Sequence, residues 1–143
     1  MGLHGIGTGP INGNMKAGTS ASLSGLLLKV DGTNTLNLTA AVGNTPLGVT
    51  IDSSHKDKDG SLVTGGRVSF MPSGGVLYMR AEAATYVQGE TLYCAATDGF
   101  VHNADAGSAT VAGIYVGQGE VVSSAEVTAN ENLIAVQTNA VAW

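Results

Sequence analysis

Apolar and polar residues alternate with a period of two along most of this chain, in runs of four to seven residues separated by turn-forming residues, as half-buried β-strands require. "LLLKV" (26–30) places Leu26, Leu28 and Val30 on one face, and "DGT" (31–33) follows as a turn whose glycine accepts positive φ. "TLNLTA" (35–40) points Leu36, Leu38 and Ala40 inward and Asn37 and Thr39 outward. "PLGVTID" (46–52) repeats the device with Leu47, Val49 and Ile51, and Pro46 opens the strand, where a ladder tolerates it.

"RVSFM" and "VLYMRA" flank "PSGG" and read as a hairpin; Val76, Tyr78 and Arg80 share one face, Leu77, Met79 and Ala81 the other. "ETLYCA" (90–95), a "DGF" turn (98–100), "ATVAGIYVG" (109–117) and "NLIAVQT" (132–138) continue the series. The run at 109–117 is apolar on both faces and is expected to be the most buried strand. Helical periodicity is not sustained anywhere; the best site for a short helix is "SSAEVTAN" (123–130). The expected fold is all-β, a small single-domain β-barrel or β-sandwich with an extended N-terminal arm.

Residues 1–24 differ from the rest. They are rich in Gly, Ser, Thr and Asn with isolated apolar residues, too few to offset the entropy of ordering by burial. The expected organisation is a flexible or extended arm over 1–24 and a β-rich domain over 25–143.

Composition then narrows the function. Charged residues make up 12% of the chain, about half the usual ~25%, while 43% is hydrophobic, so the body is globular and not disordered. The 21 glycines follow no G-X-Y period and serve turns. Net charge is −5, and the six Lys and Arg are scattered, which argues against nucleic-acid binding. No apolar run approaches the ~18 residues of a membrane span. The opening "MGLHGIGTG" has neither the charged nor the apolar region of a secretory signal, and its Ile6 breaks the myristoylation pattern, so a soluble cytoplasmic product is expected. The single cysteine, Cys94, alternates as a small buried hydrophobe.

Reactive chemistry is sparse. "GTSAS" (18–22) builds no nucleophile elbow, and "GIGTG" (5–9) lacks the strand, helix and spacing of a nucleotide loop. His4, His55 and His102 fall in separate segments without metal-ligand spacing. "DKDGS" (57–61) resembles the start of a calcium loop but lacks its closing carboxylate. Glu82, Glu90, Glu120, Glu126 and Glu131 lie beside turns or on exposed strand positions, and no spacing selects a glycosidase pair. No enzyme, no cofactor and no metal is expected. A low-charge β body with a loose arm suits protein–protein burial and strand addition instead.

The runs "PLGVTID", "SLVTGGRVSFMPSGGVLYMRAEA" and "YVQGETLYCAATDGFVHNADAGSATVAGIYVGQ" resemble the capsid decoration (cement) proteins of tailed bacteriophages. The shared pattern is a P-x-G-V strand, a V-x-V–turn–G-x-V hairpin, a G-x-x-L-Y…DG-x-V unit and a late V-G strand, over roughly residues 25–138. The resemblance implies a protein made in the host cytoplasm and located on the outer surface of the virion. It implies the major capsid protein as partner and self-association as a homotrimer. The arm residues Ile11, Met15 and Leu23 would meet the capsid, and Trp143 would pack against a neighbouring subunit or over its own barrel end. A head-fibre, tail or receptor-binding module, reading host glycans through the loops 53–61 and 102–109, is the alternative.

Overall fold

The computed structural model describes residues 9–42, 45–51, 59, 63–105 and 109–138. The first half of the chain forms β1 (Ile11–Asn14), β2 (Leu27–Val30), β3 (Leu36–Leu38), β4 (Pro46–Thr50) and β5 (Arg67–Pro72). The second half forms β6 (Val76–Arg80), β7 (Ala84–Tyr86), β8 (Thr91–Cys94), β9 (Val101–His102), β10 (Val111–Tyr115) and β11 (Glu120–Val122), then helix α1 (Ser124–Ala129) and β12 (Leu133–Gln137). The fold is all-β and sandwich-like: the described residues form two five-stranded antiparallel sheets and a two-stranded ribbon of β7 and β11, with no closed barrel among them. The turns expected at "DGT" and "DGF" hold Gly32 and Gly99 at φ of +93° and +78°. The helix falls where expected. Ser123 accepts from the Glu126 N–H while the Glu126 carboxylate accepts from the Ser123 N–H, a reciprocal capping box that keeps the carboxyl below its ordinary pKa.

Three expectations about the chain's organisation change. β5 and β6 do not form a hairpin. β5 pairs with β1 and β4, β6 pairs with β12, and "PSGG" carries the chain from one sheet to the other. Thr138 fixes that crossing: its hydroxyl accepts from Gly74 N–H at 2.9 Å, and its N–H donates to the Gly75 carbonyl at 2.9 Å.

The boundary at residue 24 also moves. β1 is an edge strand of the first sheet, and Met15 (1% exposed) and Ala21 lie inside its core. The backbone bonds of Ile11–Asn14 to β5 supply the order that their side chains alone do not.

Finally, simple alternation fails on β2 to β4. Leu27 and Thr39 are buried, whereas Val30, Leu47 and Ile51 are exposed. Leu26 and Leu28 enter one core and Leu27 the other, because this part of the first sheet is covered on both faces.

The two large sheets repeat one design. Counting strands along each half, and leaving out the ribbon, both have the spatial order first, fifth, fourth, second, third. Equivalent residues lie roughly 65 positions apart, so the chain carries an internal structural duplication. The details repeat as well. Each sheet curls until the residue after its first strand forms a parallel bridge to the start of its third, Met15 to Leu36 and Ala81 to Val101. Gly25 N–H donates to the Thr50 carbonyl at 2.6 Å, and its equivalent Gly89 donates to Tyr115 at 2.8 Å. Ile51 N–H donates to Ser69 and Val116 N–H to Ala135, each at 3.1 Å.

The halves meet asymmetrically. One core fills the second sheet and takes in Leu27 and Val49 from the outer face of the first. The other fills the first sheet and takes in Ala95 and Phe100 from the second. Arg80 fastens the junction: its N–H donates to the Gly25 carbonyl at 2.8 Å and its Nε to the Ser24 carbonyl at 2.7 Å. Its guanidinium also reaches the Asn130 carbonyl and Asn132 Oδ1. Burial lowers the Arg80 pKa, but a guanidinium stays charged, so these acceptors are what make its position tolerable.

Candidate interaction surface

The residues expected to carry contacts are scattered. Ile11 is 48% exposed on the edge strand β1. Met15 is sealed in the core, its N–H bonded to the Gly66 carbonyl at 2.9 Å, so it cannot touch a partner without unfolding the sheet. Leu23 packs partly buried against the same core, and its carbonyl accepts from the Thr50 hydroxyl at 2.8 Å. Trp143, His4, His55 and Asp57 lie outside the described residues, as does most of the loop 53–61.

Several of the described ionisable side chains do structural tasks. Glu82 Oε1 accepts from Thr97 N–H at 2.9 Å, and its other oxygen lies 3.8 Å from His102 Nε2. His102 Nδ1 accepts from Ala104 N–H. Glu90 accepts from Val87 N–H and the Asn103 amide, and Glu126 caps the helix. Among the described residues no group of three or more His, Cys, Asp or Glu is placed to hold a metal ion. No described helix is long and apolar enough to cross a membrane.

Cys94 is 2% exposed, and burial raises its thiol above the ordinary pKa, with a smaller opposing effect from Thr39. Since the thiolate is the reactive form, the native protein is expected to resist a thiol-labelling reagent and to label fully in denaturant. Labelling at equal rates in both states would contradict this placement.

A candidate surface lies where the sheets adjoin. A cleft of about 260 Å³ is walled by Val49, Ile51 and Met71 from the first sheet and by Val76, Tyr78 and Leu133 from the second. Around it Tyr78 (65% exposed), Val76, Ile51 and Leu133 form an apolar surface, and none of the described residues lining the cleft is charged. It follows from strand chemistry. Residues 77 and 79 turn inward, so 76 and 78 turn out, and Leu133 is brought beside them by antiparallel pairing with Arg80. The same pairing leaves the Tyr78 backbone groups facing away from β12, along the open edge of β6. The alternation of "VLYMR" announces the outward pair. Only tertiary structure adds Ile51 and Leu133.

Compared with protein-family models and with curated proteins, the chain matches none.

Proposed function

We propose that this chain is a structural protein of a virion, a decoration or cement protein that binds the outer surface of an icosahedral phage head and stabilises the shell without chemistry. Its partners in this reading are the major capsid protein and further copies of itself, as a homotrimer. The observation that carries the reading is the apolar surface around the intersheet cleft, centred on Tyr78, whose described lining residues carry no charge, on a protein of net charge −5. Contiguous exposed apolar surface marks interaction sites, and interface cores are enriched in aromatic residues and depleted of charge. Many copies of a modest contact reinforce a shell collectively. The contact is assigned to this surface and the exposed Ile11, and no longer to Met15.

The test is stoichiometry. Particles purified from the source of this protein should contain it at a ratio near one to one with the major shell protein, measured by quantitative mass spectrometry. A few copies per particle would replace this reading with a fibre or adhesin, and absence from particles would overturn both.

A further inference from the structure

The duplication exposes surfaces that one half uses and the other leaves bare. In the first half, the cross-strand pair Leu27–Val49 is buried against the second half, at 0% and 3% exposure. Its equivalent in the second half is Thr91–Ile114, where Thr91 is exposed and Ile114 only half-buried. Gly25 is closely covered, since a Cβ there would strike Leu133 and the Arg80 stem. Its equivalent Gly89 has the same left-handed backbone, φ +91° against +80°, and nothing within 4 Å of a Cβ. The second half therefore carries an uncovered copy of the face that the first half buries.

The receiving side shows the reverse. The face is received in the second half beside Leu77, Cys94 and Ala112, all buried, with Cys94 against Thr39 of the first half. Their equivalents in the first half are Ile11, Val30 and Leu47, exposed by 48%, 58% and 38%. They surround or adjoin an open cleft of about 290 Å³ bounded by Leu36 and Phe70. Asn14, the equivalent of Arg80, turns its N–H outward from the edge of β1, as the Met15–Gly66 bond in the same ladder requires.

From these two unmatched surfaces we infer that copies of this chain join head to tail, reusing between molecules the contact that the two halves make within one. The Thr91–Ile114 face of one copy covers the Ile11–Val30–Leu47 opening of the next, and Asn14 N–H donates to the Gly89 carbonyl. The two surfaces differ, so the contact is heterologous and generates a ring where the rotation closes or a filament where it does not. The inference goes beyond the homotrimer of the shell reading by naming the two surfaces that meet. It is tested on the free protein with no capsid present, so its failure is distinguishable from failure of the shell reading.

The test uses the full chain. Sedimentation or native mass spectrometry at high micromolar concentration should give multiples of the single-chain mass. Thr91→Arg, a change at an exposed position, should reduce them to single chains that keep the native circular-dichroism spectrum. Val30→Cys combined with Ala104→Cys, placed as Cys94 and Thr39 are placed, should form disulfides between chains under mild oxidation. A native protein of single-chain mass would overturn the inference, as would multiples that persist in Thr91→Arg or a double-cysteine variant that never links chains.

Discussion

Deleting residues 1–20 is expected to cost the first sheet its cooperative fold, and not merely to trim a tail. The deletion removes β1 from the ladder it forms with β5. It also withdraws Met15 from a core where it is 1% exposed, and takes away the donors to the Gly66 and Leu36 carbonyls. Met15→Ala isolates the packing part of this effect and should destabilise by roughly 2–5 kcal/mol, the cost of truncating a fully buried side chain. Urea unfolding at equilibrium reads both. The truncated chain should unfold at a much lower midpoint, and Met15→Ala should lie between it and the native protein. A truncated chain with the native midpoint would show that β1 is dispensable and that the arm is separate after all.

Gly48→Ala and Gly113→Ala are expected to be comparably damaging, because the two glycines do the same task in the two halves. A Cβ on Gly113 would stand 2.5 Å from Val136 Cγ1 and 2.6 Å from the Gln137 carbonyl oxygen. On Gly48 it would meet Phe70 and stand 2.6 Å from the Met71 carbonyl oxygen. In each half one obstacle is the backbone of the paired neighbouring strand, which cannot swing aside as a flexible side chain does. A penalty of about 3 kcal/mol, at the upper end of ordinary overpacking, is expected for each. Gly74→Ala provides a contrast: it has positive φ but open space around its Cβ, so it incurs backbone strain without the clash. Thermal unfolding of the three variants would check this, and a harmless change at either buried glycine would break the equivalence of the halves.

The duplication was hard to see in the residues. "TPLGVTI" (45–51) and "TVAGIYV" (110–116) share only Thr and Gly in register, and Gly25 and Gly89 align in otherwise different surroundings. Apolar strand positions accept many side chains of suitable volume, whereas glycines forced by close backbone approach or positive φ accept few replacements. The candidate surface was half legible for a similar reason. Val76 and Tyr78 are outward by alternation, but their neighbours Ile51 and Leu133 arrive from other strands.

What the residues determine alone is local. Period-two alternation makes the strands, Gly32 and Gly99 make the turns, Ser123 and Glu126 start the short helix, and a small apolar environment surrounds Cys94. Each rests on interactions among a few successive residues, or on burial that a single side chain's character announces. Tertiary structure decides which strands pair, that "PSGG" crosses between sheets, that β1 belongs to the body, and that Val30 and Leu47 face solvent while Thr39 does not. Backbone hydrogen bonding is indifferent to side-chain identity, so a strand does not name its partner. The choice is made by the packing of whole faces, which here bury the outer face of one half against the other and leave its counterpart open.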